Sequence, residues 1–240
     1  MKLIEQTFSE PAENVAFDEA LLLDAEQLPG HSGFLRIWEP DQIFVVVGRG
    51  SAISREVDLA RCGKDNVPVL RRSSGGAAIV AGPGCLMYAV VLAYEQYPAL
   101  RAIDEAHRFV LSTIATSLSE IVSGIERQGI SDLAVAGRKV SGNALRCRSQ
   151  HLLYHGTLLY DMTLADIGRY LHNPHRQPEY REGRAHPDFV ANMSISREAL
   201  REAVISGWQA SAAPTPWSSE RTGQLVTEKY SRPGWTMQIP

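Results

Sequence analysis

One lysine has neighbours that suit chemistry better than solubility. Lys139 lies in the stretch GRKVSGNA, residues 137–144, among glycines, small residues and a valine. Small neighbours leave room for a ligand, and a flexible ammonium group can follow an oxygen that moves during a reaction. This suits a carboxylate that becomes an acyl phosphate. The alternative is an exposed hairpin lysine, as most lysines are.

Polar residues on both sides of this segment could share a site with Lys139. Asp132 is predicted to begin the preceding strand, where it could bind an amine, a metal or Lys139 itself; alternatively it is a turn or cap residue. His155, Gly156 and Thr157 are predicted to open the facing strand. The alternative for His155 is a half-buried, hydrogen-bonded histidine.

A glycine loop supplies a second candidate site. The segment RRSSGG, residues 71–76, places Arg72 at a strand end, directly before Ser74, Gly75 and Gly76. Glycines allow close backbone approach and free N–H groups for an anion, and arginine offers a planar fork for phosphate or carboxylate. The spacing matches neither GxxxxGK[ST] nor GxGxxG. A tight turn with a solvated arginine pair is the alternative.

The elements that must position these residues combine helices and strands. Helical periodicity predicts helices over residues 14–28, capped by Asn14, and over 103–122. Residues 132–162 alternate and turn at Ala136 and Gly137 and again near Ser149, which predicts a three-stranded antiparallel meander. Strict βαβ alternation is missing, so we predict an α+β fold around a mixed, largely antiparallel sheet flanked by helices.

Composition narrows the class of protein. The chain has 240 residues with 24 basic and 27 acidic side chains, a net charge of −3, and no basic stripe for nucleic acid. Its three cysteines form no CxxC pair, which fits a reducing compartment. Its longest apolar run, CLMYAVVLAY, is about half of what a membrane span needs. We therefore expect a cytoplasmic protein that binds neither nucleic acid nor membrane.

Taken together, the motifs resemble those of the lipoate–protein ligase A family, within the superfamily of biotin and lipoate ligases and octanoyltransferases. The resemblance spans residues 14–161 and rests on ordered motifs: NVAFDEALL, RIWEPDQIFVVVGRG, RRSSGGAAIV, SDLAVAGRKVSGNALR and LLYHGTLLYD. It implies a catalytic domain of the biotin/lipoate ligase type, similar to class II synthetases.

The resemblance also implies an activity and a site. ATP and lipoate, with Mg²⁺, would give lipoyl-AMP, and the lipoyl group would pass to a lysine of an apo lipoyl domain. That domain would belong to a 2-oxoacid dehydrogenase complex or a glycine cleavage carrier protein. Lys139 would contact the acyl carboxyl and the α-phosphate, Asp132 would lie near the adenylate or Mg²⁺, and His155, Gly156 and Thr157 would line the site. The nucleotide would be held by Arg72, Ala77, Ala78, Ile79 and Val80, and an apolar tunnel for the acyl chain would use Trp38, Val46 and Leu70.

Departures from the family pattern keep alternatives open. Ala77 stands where the family has a third glycine and Ala81 where it has a polar residue; since alanine does not tolerate positive φ, we expect Ala77→Gly to relax the loop. A non-catalytic lipoyl-binding relative is therefore one alternative. Another is an octanoyl- or lipoyltransferase that works without ATP, often through a cysteine.

The extent of the domain is a further expectation. Residues 1–195 are predicted to form the catalytic domain, and residues 196–240 a helical extension of the same domain. This extension is too short for the accessory domain of the large ligases. We therefore expect either a separate accessory polypeptide or only half of the reaction.

Overall fold

The computed structural model describes residues 1–27, 33–174, 177–212 and 219–240, which form two β-sheets with flanking helices. The strands are β1 (Lys2–Glu5), β2 (Phe34–Trp38), β3 (Phe44–Val47), β4 (Val69–Arg71), β5 (Ile79–Ala81), β6 (Cys85–Ala93), β7 (Ile125–Gln128), β8 (Asp132–Val135), β9 (Arg138–Cys147), β10 (His151–Leu159) and β11 (Ser211–Ala212). The large sheet has the order β11-β1-β2-β6-β10-β9-β8-β7, and the small sheet has the order β4-β3-β5.

Most strand pairs are antiparallel. In the large sheet only β1 runs parallel to its neighbours β2 and β11, and in the small sheet β3 is parallel to β4 and antiparallel to β5. This confirms the predicted mixed, largely antiparallel α+β fold.

Helices cover both faces of the large sheet. They are α1 (Pro11–Gln27), α2 (Ile53–Glu56), α3 (Leu59–Lys64), α4 (Ile103–Leu118), α5 (Ala165–Tyr170), α6 (His186–Phe189), α7 (Arg197–Gly207), α8 (Ser219–Leu225) and α9 (Pro233–Thr236), with 3₁₀ turns at Pro98–Arg101 and Glu179–Arg181 and a π turn at Val226–Tyr230. None of the helices in the described ranges is long and apolar enough to cross a membrane.

The central strand β6 shows how the core is divided. Val90 and its alternate neighbours pack with Ile114 of α4 and with residues of α7, whereas Val91 packs on the other face with Leu21 of α1. Successive side chains of a strand point to opposite faces, so an almost unbroken apolar run suits a strand buried on both sides.

The hairpins that carry the site are close to expectation. Ala136 and Gly137 have φ values of 48° and 70°, so both central residues of the β8–β9 turn are left-handed, as a two-residue hairpin requires. Asp132 begins β8, as predicted. His155 lies in the middle of β10 and does not open it, because pairing with β6 already begins at His151.

The helix predictions need corrections at their ends. The first helix begins at Pro11, whose fixed φ suits a first helical position, and not at Asn14. Asn14 is buried, and its side chain binds the backbone of Phe8 instead of capping the helix. Leu28, the last predicted residue of this helix, lies outside the described residues. The helix predicted over 103–122 ends at Leu118.

The C-terminal segment returns to the small sheet. The indole Nε1 of Trp235 donates to the carbonyl of Arg71 at 2.7 Å, and the Arg71 side chain donates from Nε to the carbonyl of Thr236 at 2.9 Å. Arg71 Nη2 also donates to the carbonyl of Ile239 at 3.2 Å. The chain near its C-terminal end is therefore fixed to the strand that leads into the glycine loop.

Candidate functional site

A cavity of about 1180 Å³ opens between the glycine loop and strands β8 to β10. Apart from the predicted acyl tunnel, every predicted site residue except Ser74 and Val80 lines it. The residues brought together are Arg72, Gly75, Gly76, Ala77, Ala78, Ile79, Asp132, Lys139, His155, Gly156 and Thr157. Val80 lines an adjoining smaller cavity of about 120 Å³, and Ser74 is buried behind the wall. Segments far apart in sequence thus share one space, as the motifs predicted.

The two arginines before the glycine loop are buried, so the interpretation as a solvated pair is wrong. Arg72 donates from Nε to Ser74 Oγ at 3.0 Å and from Nη2 to the carbonyl of Ala77 at 3.0 Å, with a further bond to the carbonyl of Gly75. Burial lowers the pKa of Arg72 to about 10, an effect partly offset by the Glu56 carboxylate. Arg72 lines the cavity, but its fork holds the loop in shape.

Glycine is required at one position of this loop. Gly76 has φ of 86°, in the left-handed region, whereas Ala77 does not have a positive φ. The expectation that Ala77 strains the loop is therefore wrong, because alanine fits its conformation. Gly48 packs against Gly76, and a Cβ at Gly48 would lie only 1.8 Å from the Gly76 carbonyl oxygen.

One amide of the loop already has an anionic partner. The N–H of Ala78, which the resemblance assigns to the nucleotide, donates to the carboxylate of Glu56 at the end of α2. Glu56 is half-buried and lines both cavities. A ligand phosphate at this amide would therefore have to displace the Glu56 carboxylate or share the amide with it.

Lys139 is paired within the cavity wall and is not a simple exposed hairpin lysine. Its Nζ lies 2.7 Å from Asp132 Oδ1, and the other Asp132 oxygen accepts from the Tyr180 hydroxyl at 2.8 Å. The Lys139 side chain keeps 29% of its surface exposed, so the ammonium group remains reachable. Gly142 provides the room, because a Cβ there would lie 2.9 Å from Lys139 Nζ. Burial raises the pKa of Tyr180, and the nearby Asp132 charge raises it further, so the phenol stays a donor.

Asp132 is a poor candidate for holding a metal in this arrangement, because both of its oxygens already have protein partners. Within the described parts of the chain, no three His, Cys, Asp or Glu side chains group as a metal site. The described residues therefore do not supply three such ligands to one ion.

A buried hydrogen-bonded chain supports a second wall of the cavity. His155 Nε2 lies 2.6 Å from Ser74 Oγ, and His155 Nδ1 lies 2.9 Å from Asp18 Oδ2. Asp18 Oδ1 in turn accepts from Arg36 Nη1 at 2.7 Å. This network, the Ser74–His155–Asp18–Arg36 chain, connects the glycine loop to β10, α1 and β2. His155 is thus hydrogen-bonded at both ring nitrogens and also lines the cavity.

The charges in this network set the state of Asp18. Burial would raise the pKa of Asp18, but the Arg36 charge and the hydrogen bonds from His155 and Arg36 outweigh burial and lower it. The carboxylate is therefore ionised at neutral pH.

The same cavity has an apolar part. Val15, Trp38, Phe44, Val46 and Met87 line it. Trp38 and Val46 are therefore in the predicted position. Leu70 is not among the lining residues; it packs behind them in the cluster of Phe44 and Val46.

Sequence reasoning missed the residues that complete the site. Asp18, Arg36, Glu56, Tyr180 and Arg181 were not singled out. Asp18 and Glu56 are acidic residues inside helices and resemble solvated surface charges in sequence. A local signal for Arg36 was available, because a charged residue in the middle of the apolar strand FLRIW needs a buried partner.

Comparison with known proteins assigns this fold to a ligase catalytic domain. The sequence profile of the lipoyl protein ligase A/B catalytic domain matches residues 10–207. The chain therefore belongs to the lipoyl protein ligase A/B catalytic domain family.

Individual relatives agree with this assignment. A protein of Aeropyrum pernix assigned as lipoate-protein ligase A is 35% identical over 160 residues, which are 65% of this chain and 56% of that protein. A Mycoplasma pneumoniae protein with the same assignment is 30% identical over 127 residues, 53% of this chain and 36% of the relative. The matches thus span about half or less of these relatives.

Solved structures share the fold. The bi-partite lipoate protein ligase of Thermoplasma acidophilum, studied with its E2 lipoyl domain, superposes with a TM-score of 0.82 at 22% identity, covering 100% of this chain and 96% of that one. A lipoate-protein ligase A bound with ATP gives a TM-score of 0.81 at 23% identity, covering 100% and 99%.

Proposed function

We propose that this protein is a lipoate–protein ligase, which activates lipoate with ATP to lipoyl-AMP and transfers the lipoyl group to a lysine of a lipoyl carrier domain. The observation that carries the proposal is the composition of one cavity: an apolar part, a reachable lysine ammonium and a glycine loop. The apolar part suits a dithiolane and its alkyl chain, and the loop amides and Lys139 suit phosphate and carboxylate oxygens.

The proposed reaction has two steps. A lipoate carboxylate oxygen attacks the α-phosphorus, the bond from that phosphorus to the bridging oxygen breaks, and pyrophosphate leaves. The neutral amine of the target lysine then attacks the acyl carbon, AMP leaves, and the amine loses a proton. Lys139 is proposed to stabilise the negative charge on the reacting oxygens, because a fixed cation stabilises a charged transition state.

ATP would bring Mg²⁺ on its phosphates, and Mg²⁺ commonly keeps most of its ligands from phosphates and water. Asp132 stays a predicted Mg²⁺ neighbour only. Its occupied oxygens argue against a dedicated protein site, and no step of the proposal depends on that metal contact.

The cysteines disfavour the transferase alternative. Cys62 and Cys85 are buried, and burial raises the pKa of both thiols, that of Cys85 to about 12, so little nucleophilic thiolate is present. Cys147 is exposed, but it lies five residues beyond Gly142 at the other end of β9, about 17 Å along the strand. None of the three lines either cavity.

The proposed partner is an apo lipoyl domain of a 2-oxoacid dehydrogenase complex or a glycine cleavage carrier protein, together with a separate accessory polypeptide. This is supported by the likeness to the bi-partite ligase of T. acidophilum, which was studied with its E2 lipoyl domain. We also propose that residues 196–240 belong to the catalytic unit, because Arg71 binds the carbonyls of Thr236 and Ile239.

The test is acylation of a purified apo-lipoyl domain, followed by its mass, with ATP and either lipoate or octanoate. We expect the lipoyl mass shift only with ATP, together with pyrophosphate release. Transfer from a carrier thioester without ATP would establish the transferase instead. Binding of lipoate without adenylate formation would establish a non-catalytic relative.

A further inference from the structure

Arg181 differs from the other buried arginines of the described chain. Arg36 is paired with Asp18, while Arg71 and Arg72 each donate to several oxygen atoms around them. Arg181 is only 3% exposed, yet within the described ranges it donates only from Nε to the carbonyl of Arg184 at 2.9 Å and from Nη2 to Asn173 Oδ1 at 3.3 Å. Its donors are therefore only partly used.

No carboxylate of the described chain forms an ion pair with Arg181, although the charge of Asp132 partly offsets the effect of burial on the Arg181 pKa. The other close contact of Arg181 is the Phe189 ring, 4.7 Å from the guanidinium carbon. Asp132, whose charge acts on Arg181, is already bound by Lys139 and Tyr180. A buried cation without a counter-ion is costly, so a fold retains one where a ligand supplies the negative charge.

The position of Arg181 indicates which ligand that is. Arg181 lines both cavities, as do Lys139, Glu56 and Ala78, the residue directly before β5. The two cations also act on His186 in the lining of the smaller cavity: burial lowers the pKa of His186, and the charges of Arg181 and Lys139 lower it further. A planar guanidinium beside a lysine matches the oxygens of a phosphate.

We propose that Arg181 binds a phosphate group of the nucleotide, as a second cation beside Lys139. The inference rests on the proposed function, which supplies ATP as the ligand. Arg181 is held over Phe189 and by Asn173, so its fork is preorganised before the nucleotide arrives. Burial of Arg181 without an anion lowers the stability of the ligand-free protein, and binding of a phosphate would supply the missing negative charge.

The test compares ATP affinity with stability in the full-length chain. Arg181→Met fills the same space without charge. We expect its Kd for Mg-ATP, measured by calorimetry, to rise about 10- to 100-fold, the size of losing hydrogen bonds to a charged group. We expect its melting temperature without ligand to stay equal or to rise, because the unpaired charge is gone. Lipoate affinity should change less than three-fold.

Arg184→Gln is the matched control. Arg184 lies on the same segment but lines neither cavity, and it donates to the carbonyl of Gly137 at 3.0 Å. The ATP affinity of the Arg184→Gln variant should stay within a few-fold of wild type. Equal losses in both variants would show a general effect of positive charge and overturn the assignment, as would unchanged ATP binding in Arg181→Met.

Two additions keep the test decisive. Arg181→Gln retains a donor for the Arg184 carbonyl and replaces Arg181→Met if the methionine variant does not fold. Undiminished ATP binding by Arg181→Gln would also overturn the proposal. Inorganic tripolyphosphate alone should raise the melting temperature of wild type more than that of either Arg181 variant. This readout needs neither lipoate nor catalysis, so failure of the ligase activity and failure of the Arg181 assignment remain distinguishable.

Discussion

The two polar walls of the cavity are built on different electrostatic principles. In the Ser74–His155–Asp18–Arg36 chain, every charge faces an opposite charge, and every described link is a hydrogen bond within the protein. In the second wall, Lys139 is paired with Asp132, and Glu56 lines the same cavities, but Arg181 has no ion-pair partner among the described residues. The first wall is fully paired without a ligand, whereas the second wall contains a buried arginine without an ion pair in the described chain. This difference indicates which residues stabilise the fold and which residues bind a ligand.

The largest expected effect tests the complete wall. Asp18→Asn leaves Arg36 buried and unpaired, which should lower the free energy of unfolding by about 3–5 kcal/mol. Urea denaturation at pH 7 measures this. Asp65→Asn, which breaks the exposed pair with Arg169, is the control and should change stability little. A small effect of Asp18→Asn would show that this wall is not the structural one.

The pH dependence of the same variant has a definite sign. The pKa of Asp18 is lowered from its ordinary 3.8, so its charge stabilises the fold above that pH. The stabilisation is lost as the pH falls through the depressed pKa. The difference between wild type and Asp18→Asn should therefore be constant near neutrality and shrink below about pH 4.

The second effect tests the binding wall. Lys139→Ala should slow adenylate formation by two to three orders of magnitude, because loss of one such electrostatic contact costs about 3–4 kcal/mol. Lys139→Arg should also fail, since the planar fork does not fit the space beside Gly142. Pyrophosphate release measures the rate, and thermal melting serves as the stability control.

A double variant separates activity from stability at Lys139. Lys139→Ala leaves Asp132 without its cation, so Lys139→Ala combined with Asp132→Asn should recover any lost melting temperature. Adenylation should stay low in the double variant. Recovery of both quantities together would make Lys139 a structural residue.

A smaller effect is expected in the loop between the walls. Ala77 does not have a positive φ, so Ala77→Gly relieves no strain and only increases the freedom of the unfolded chain. We expect a loss of about 0.4–1 kcal/mol in unfolding free energy and an ATP affinity within about three-fold of wild type. Tighter ATP binding by more than ten-fold would mean that alanine does hinder the ligand.

The smallest effect concerns the thiols. Replacement of Cys62, Cys85 and Cys147 together by serine should leave ATP-dependent acyl transfer within a few-fold, because none lines the cavity. The measurement is transfer to an apo-lipoyl domain at a temperature where the variant is folded, since serine in two buried sites lowers stability. A stable acyl thioester on any of the three in the wild-type protein would contradict the ligase mechanism.

What the sequence could predict depended on whether the signal was local. The left-handed turn before Lys139 was predictable from Ala136 and Gly137, and the glycine loop from its composition. The family resemblance then brought the two together, and the cavity confirms that they share one space. The side chains that complete the site have distant partners: Asp18 and His155 are 137 residues apart. No local pattern encodes such a pairing.

Arg181 illustrates the limit more clearly. Its segment, PEYREGR, is a run of polar residues typical of a solvated loop, and only the three-dimensional structure shows that the arginine is buried beside Phe189. Burial of a charge depends on what the rest of the chain packs around it. The burial of Arg181 could therefore not be inferred from its own segment.

The contacts of Arg71 with the end of the chain have a consequence for evolution and for protein engineering. The acceptors are the main-chain carbonyls of Thr236 and Ile239. The contact therefore depends on the backbone conformation and not on which side chains stand at these positions. Substitutions of the side chains at these two positions leave both carbonyl acceptors in place. A deletion that removes them would take away two acceptors of a fully buried guanidinium, directly beneath the loop that lines the cavity.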